Sequence, residues 1–313
     1  MKHVLLIGGG GTLGTYTAKE LLTKGHRVDV ICLEEKQSDN KKITFIRAKV
    51  TLEYLTNFLA DKHYDGIIDF LWYKTLEEYI PYHELLTKHT NHLIFLSSYR
   101  IYADEEHPIT ENAPRLLEIV KDAEFLATEK YALTKARCED FIRSYTPFTN
   151  WTIVRPVISF SVIRFDLHMY SGTTVIEYAR EGKTLMMPEK ARNLIAGLDW
   201  AGNTGRLIAL LLFNKKAIGE AFNVSSAPGL TWGDISKIYT KLIGLKIEWV
   251  DEDTYLNHNP AYPFKPDDYR YIYDRKYNRA IDNRKILDVI GMKKEDFVSL
   301  EEGLIIELAR LEN

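Results

Sequence analysis

Val4-Leu5-Leu6-Ile7-Gly8-Gly9-Gly10-Gly11-Thr12-Leu13-Gly14, followed by an amphipathic stretch over 15–23, is the passage from which the fold is read. A short aliphatic run reads as a strand and the stretch behind it as a helix, so the glycines occupy the turn between them. Glycine there permits a tight turn, lets the backbone approach a pyrophosphate and lets the helix pack closely on the strand. The helix N-terminus adds free N–H groups and a dipole that favours an anion. Gly8, Gly11, Thr12, Leu13 and Gly14 are therefore the expected cofactor contacts. A P-loop is excluded, because no Gly-Lys-Ser or Gly-Lys-Thr closes the run.

Outward from this turn, apolar runs alternate with amphipathic stretches in the rhythm of βαβ units. Strands are expected near 3–7, 27–32, 43–47, 66–71 and 92–97, with helices near 13–24, 52–61, 76–89 and 128–145. A strand over 151–154 is expected to stop at Arg155-Pro156, since proline lacks the ladder donor. Further on, 160–193 reads as loop with one helix over 173–181. A second α/β passage follows, with a strand over 194–199, a helix near 200–213 and a strand at Ala221-Phe-Asn-Val224. Helices near 232–243 and 300–311 flank a polar, Tyr-rich segment, 253–279. The expected fold is α/β: a Rossmann-type doubly wound parallel sheet with a smaller C-terminal substrate-binding lobe. Residues 1–158 form the dinucleotide-binding domain, completed by a strand and helix from about 194–226, and 159–313 form mainly the substrate lobe.

The second strand ends in Val28-Asp-Val-Ile-Cys-Leu-Glu-Glu35. An acidic residue about 20 positions beyond the glycine turn is placed to bind the adenosine ribose. Glu34 or Glu35 fits that role and would repel a 2′-phosphate, which favours NAD, although both can equally face solvent and Lys36 leaves NADP open. Leu71, at the end of the fourth expected strand, is a further cofactor contact.

Tyr131 and Lys135 stand four apart in Lys130-Tyr-Ala-Leu-Thr-Lys135, on one face of the expected helix. An ammonium close to a phenol stabilises the phenolate and suits the pair to proton transfer near neutrality. Of the nineteen tyrosines, Tyr131 is the one followed by a lysine at that distance. His92-Leu-Ile-Phe-Leu-Ser-Ser98 precedes the pair, and the C-terminal end of such a strand opens onto the cofactor crevice. Ser98 there either holds a reacting oxygen or caps a turn.

The chain has 313 residues, 45% of them apolar, and a net charge of only −3. Charges of both signs are interleaved, so no basic face exists for nucleic acid. The N-terminal apolar run is too short for a signal peptide, and no apolar stretch approaches the roughly 18 residues of a membrane span. With two cysteines and no metal-ligand spacing among nine histidines, the expectation is a cytoplasmic protein with neither a disulfide framework nor a metal.

At this point the sequence resembles the extended short-chain dehydrogenase/reductase family, the NAD-dependent epimerase/dehydratase group. Its Gly-x-x-Gly-x-x-Gly turn is matched by Gly8, Gly11 and Gly14, and its Tyr-x-x-x-Lys signature by Tyr131 and Lys135. Its serine four residues before a tyrosine is matched by Ser98 and Tyr102. Pro108-Ile-Thr-Glu111, Ile153-Val-Arg-Pro156, Leu198-Asp-Trp-Ala201, Gly219-Glu-Ala-Phe-Asn-Val224 and Ala280-Ile-Asp-Asn-Arg-Lys285 follow in family order. The resemblance implies that Tyr131 is the acid/base, that Lys135 favours its ionised form and holds the nicotinamide ribose, and that Ser98 orients the substrate oxygen. It implies hydride exchange between NAD and a hydroxyl-bearing carbon, most often of a nucleotide sugar, and a homodimer formed partly through the helix of Tyr131.

Three departures qualify this. The 4,6-dehydratases of the family follow their active-site Thr with Asp-Glu, whereas Tyr99 and Arg100 stand here, which disfavours a dehydratase. Val157-Ile-Ser-Phe-Ser161 replaces the usual Tyr-Gly-Pro-like turn and makes the substrate entrance unusual. Arg47-Ala-Lys49 stands where many members carry an adenine-contacting aspartate. Arg275 and Arg279 are the candidates to meet a substrate diphosphate, or else form only surface ion pairs with Asp274 and Asp282. The competing readings are a reductase of a small carbonyl compound and a non-catalytic relative that senses dinucleotide or binds RNA.

Overall fold

The computed structural model describes residues 1–265 and 268–312. Its first half runs β1 (His3–Ile7), α1 (Thr12–Thr23), β2 (Arg27–Cys32), β3 (Ile43–Arg47), α2 (Leu52–Leu59), β4 (Gly66–Asp69), α3 (Leu76–Lys88) and β5 (Leu93–Leu96). Short α4 (Leu116–Ile119) and α5 (Ala123–Leu126) lead to α6 (Tyr131–Ser144), β6 (Trp151–Pro156) and β7 (Ile158–Phe160). Then come α7 (Thr174–Arg180), β8 (Thr184–Pro188), β9 (Leu198–Trp200), α8 (Ala201–Leu211) and β10 (Glu220–Val224). The remainder is α9 (Trp232–Ile243), β11 (Lys246–Val250), α10 (Glu252–His258), α11 (Arg284–Ile290) and α12 (Leu300–Leu311).

The main sheet has seven parallel strands in the order β10-β6-β5-β4-β1-β2-β3. Strand order reverses beside β1, which opens a crevice at the carboxyl ends of β1 and β4. Both faces are covered, as alternation along β1 requires. Val4 and Leu6 pack with Leu207, Ile208 and Ile286 on one face, whereas Leu5 and Ile7 pack with Leu55, Leu59 and Leu86 on the other. On the first face α1 meets α8 closely: a Cβ on Gly205 would lie 2.6 Å from the Cβ of Tyr16. A separate core around Phe160, Phe165, Met187, Trp232 and Tyr239 holds the C-terminal lobe together.

The structure corrects the reading in two places and bears it out in a third: β6 ends at Arg155-Pro156, its last residue Pro156 being in register with Val224. A proline is tolerated there because the strand terminates at it. The loop expected over 160–193 contains β8, which pairs in parallel with β11 in a separate two-stranded sheet. The segment 253–279 begins with α10, and α11 follows it before the last helix. Among the described residues no helix is long and apolar enough to cross a membrane.

Candidate active site

The turn after β1 is built as the glycines demand. Gly8 has φ +70°, and the N–H groups of Gly8 and Gly9 both donate to Ile31 O, at 2.9 and 3.2 Å. A Cβ on Gly14 would lie 2.3 Å from Gly9 O, so only glycine lets α1 seat against the turn. No side chain caps α1 at Gly11, and its first-turn N–H groups face the crevice unclaimed by a cap. From the end of β2, Glu34 reaches over the turn: a Cβ on Gly10 would lie 2.4 Å from its Oε2. Lys36 also reaches back, its Nζ donating to Gly10 O at 2.5 Å.

Tyr131 opens α6 and is half-buried, while Lys135, one turn on, is buried. The lysine's Nζ lies 6.0 Å from the Tyr131 ring centroid. It donates to Leu71 O at 3.0 Å and Leu96 O at 2.6 Å, just past the ends of β4 and at the end of β5. Nearby Asp69 is wholly buried, and burial pushes its carboxyl up to about 6, against the N–H of Leu71 and the charge of Lys135. Ser98 Oγ accepts the N–H of Arg100 at 3.2 Å and so caps the turn over Tyr99–Ile101. Capping leaves the serine hydroxyl proton available to a ligand.

Arg100 lies over this group, its Cζ 5.2 Å from the Tyr131 ring centroid. Its Nε is 3.3 Å from Asp274 Oδ2 but makes no hydrogen bond there, and burial holds its pKa below the ordinary value against the attraction of Asp274.

A single cavity of about 410 Å³ joins these parts. Gly8, Gly11, Thr12, Leu13 and Gly14 line one end, Ser98, Arg100 and Tyr131 the middle, and Arg164, Arg270 and Arg275 the remainder. Four arginines and no carboxylate face it among the described residues. Val157, Ile158 and Ser159, from the unusual stretch after Pro156, supply its floor. Lys135 and Leu71 lie behind the wall, and Glu34 and Lys36 stand at the outer edge of the turn.

The two arginines expected to meet substrate are placed differently. Arg275 lines the cavity while its Nε donates to His168 O at 2.8 Å and its Nη1 to Tyr99 Oη at 3.1 Å. Arg279 instead lines a smaller cavity beside Pro108 and Ala227, and its nitrogens donate to Asp274 Oδ1, Tyr102 O and Tyr273 O. Asp274 is thus the hub of three arginines; their charges outweigh its burial and hold its pKa down. Asp282 pairs with Arg284, not with Arg279. Sequence reasoning did not find Arg164 and Arg270, and noted Arg100 only as a departure. Its one signal was the change of sign where relatives carry a glutamate.

Behind the cavity lies a closed polar network. Arg155 donates through Nε and Nη2 to Glu139 at 2.9 and 2.5 Å, and through Nη1 to Tyr102 Oη at 2.6 Å and Glu111 O at 2.8 Å. Tyr102 Oη in turn donates to Asn223 Oδ1 at 2.7 Å. A second network ties α12 to the cofactor helix: Glu307 accepts from Tyr16 Oη, from Trp200 Nε1 at 2.7 Å and from Val162 N at 2.8 Å.

A model of the NAD-dependent epimerase/dehydratase family matches residues 4–200. No curated protein matches the chain. Among solved structures, the chain is similar to an epimerase from Methanothermobacter thermautotrophicus, at TM-score 0.72 and 16% identity over 98% of this chain and 90% of that one. It is similar to dTDP-glucose 4,6-dehydratase from Bacillus anthracis in complex with NAD, at TM-score 0.73 and 16% identity over 100% and 97%. UDP-glucuronic acid 4-epimerase from Bacillus cereus, in complex with UDP-glucuronic acid and NAD, matches at TM-score 0.69 and 17% identity over 99% of both chains. At such identities the likeness speaks for the fold.

Proposed function

The chain belongs to the NAD-dependent epimerase/dehydratase family, and from that premise we propose that it is an NAD-dependent epimerase or oxidoreductase of a nucleotide sugar, with Tyr131 as its acid/base. The observation that carries this reading is the continuous cavity with the glycine turn at one end, Ser98 and Tyr131 in the middle and arginines beyond.

The glycine cradle fits the proposed cofactor: Gly14 leaves room for α1 to approach, and the uncapped helix offers its N–H groups to a diphosphate. NAD, when bound, accepts and returns the hydride. Gly8, Gly11, Thr12, Leu13, Gly14 and Leu71 would hold it, with Glu34 on the adenosine ribose. Two of the three protons on Lys135 Nζ go to Leu71 O and Leu96 O, which leaves one for the nicotinamide ribose. Ser98 Oγ would hold the substrate oxygen while Tyr131 Oη takes or returns its proton. Arg275 would meet the diphosphate, and Arg279 would act indirectly by holding Asp274. Among the described residues no carboxylate lines the cavity wall, which weighs against elimination, since that needs a base at a second carbon. Residues 159–313 would serve mainly substrate binding. The reading includes a cytoplasmic location and a homodimer in which α6 takes part.

One observation favours a second reading, a reductase of a small carbonyl compound. Lys36 reaches over the glycine turn, where a cation suits the 2′-phosphate of NADPH. The test is fluorescence titration with NAD and NADP, followed by turnover of a nucleotide-sugar panel by the native chain and Tyr131→Phe. NAD binding with Tyr131-dependent turnover supports the first reading. Preference for NADPH with no response to nucleotide sugars supports the second.

A further inference from the structure

The four arginines on the cavity wall do not stand alike. Arg164 is held by Asp166 through two hydrogen bonds, at 2.6 and 3.0 Å. Arg270 donates to Tyr262 Oη at 2.8 Å and Met169 O at 3.2 Å. Arg275 donates to His168 O and Tyr99 Oη. Among the described residues, Arg100 is the one of the four whose guanidinium makes no hydrogen bond to the protein; its buried Nε lies 3.3 Å from Asp274 Oδ2, an ion pair without a hydrogen bond. The carboxylate nearest to it, Asp274, already accepts from Arg275, Arg279 and Tyr99.

A guanidinium withdrawn from water gains much when a carboxylate meets its planar fork, because a charge-assisted bidentate pair replaces lost hydration. The position of Arg100 says which part of a ligand that is. Its Cζ lies 5.2 Å from the ring centroid of Tyr131, and its backbone N–H is bonded to Ser98 Oγ. An anion on this guanidinium therefore sits beside the hydroxyl served by Tyr131. The diphosphate of a nucleotide sugar hangs from the anomeric carbon and is directed to the arginines farther along the wall. A second anionic group, on the sugar next to the reacting carbon, is what remains to fill Arg100.

We propose that Arg100 selects a sugar bearing a carboxylate, a nucleotide-linked uronic acid, over its neutral hexose counterpart. This rests on the nucleotide-sugar reading above, and binding measurements separate the two because they need no turnover. Isothermal titration of the NAD-loaded protein with a UDP-linked uronic acid and the matching UDP-linked hexose is the measurement. A hydrogen bond to a charged group contributes about 1.5–3 kcal/mol, so the acid is expected to bind about ten to a hundredfold more tightly. Arg100→Met should erase that preference, and Arg100→Lys should keep part of it, since the ammonium retains the charge without the fork. Equal affinity of the native protein for both ligands, or a preference that survives Arg100→Met in protein with native thermal unfolding, overturns the inference alone. Binding of neither ligand overturns the nucleotide-sugar reading and this inference with it.

Discussion

Two arginines of this molecule lie over tyrosine rings at nearly the same distance, Arg155 over Tyr102 at 5.0 Å and Arg100 over Tyr131 at 5.2 Å. Their surroundings differ in completeness. Arg155 is closed: Glu139 takes two of its nitrogens, Tyr102 and Glu111 a third, and the tyrosine passes its own proton to Asn223. Burial opposes its charge, yet Glu139 and Tyr102 outweigh burial and push its pKa above the ordinary value. Arg100 is open, with a lowered pKa, a cavity in front of it and, among the described residues, an ion pair to Asp274 but no hydrogen bond from its guanidinium. The same pair of side chains serves packing where every guanidinium nitrogen is answered and faces a ligand where donors are left over.

Breaking the open pair should cost chemistry. Tyr131→Phe removes the proposed proton carrier while keeping the ring, and kcat should fall about 10²–10⁴-fold with NAD binding retained; unchanged kcat would end the acid/base role. Breaking the closed pair should cost stability. Arg155→Met strands the Glu139 carboxylate in the interior, and urea denaturation should register a loss of about 3–5 kcal/mol. A loss within experimental error would mean that the network relaxes onto water. Tyr102→Phe sharpens the contrast with Tyr131→Phe: it leaves Asn223 Oδ1 without its donor, and the expected cost is about 1–3 kcal/mol of stability.

A further effect belongs to pH and acts through two buried histidines. Burial pushes His83 and His92 down to about 4. The neutral form of His92 is fixed by its neighbours: Nδ1 accepts the N–H of Phe213 at 3.0 Å, which leaves Nε2 to donate to Thr152 Oγ1 at 2.9 Å. Because the folded values lie below the unfolded one of about 6.5, the unfolded chain binds more protons between those limits. Their contribution is whole above pH 6.5 and is lost as the pH falls toward 4, by about 1.4 kcal/mol per pH unit for each histidine. Urea midpoints measured from pH 7 to 5 should decline accordingly, and His92→Gln should flatten the decline.

The central strands β1, β4 and β5 were legible because they are buried on both faces and read as apolar runs such as Leu93–Leu96. The strands β8 and β11 were not, since Thr184, Lys246 and Glu248 lie exposed on a small sheet whose pattern mixes charge with methionine and tryptophan. In the candidate site, Ser98, Tyr131 and Lys135 were legible from local spacing on one strand end and one helix. The arginine cluster was not, because Arg100 and Asp274 meet across 174 positions that no local pattern spans. Nor could Arg275 be told from Arg279. Arg275 lines the cavity, whereas Arg279 donates to Tyr102 O.

Glu307 gives this architecture an order in time. The cofactor helix α1 is made well before its partner, because the carboxylate that receives Tyr16 Oη lies 291 positions later. At synthesis rates of roughly 5–20 residues per second the wait is about 15–60 s. Throughout that interval the helix beneath the glycine turn is missing a partner, and its buried tyrosine hydroxyl has only water or a transient neighbour to bond. The helix beneath the glycine turn is thus completed only when α12 has been made, 291 positions further along the chain.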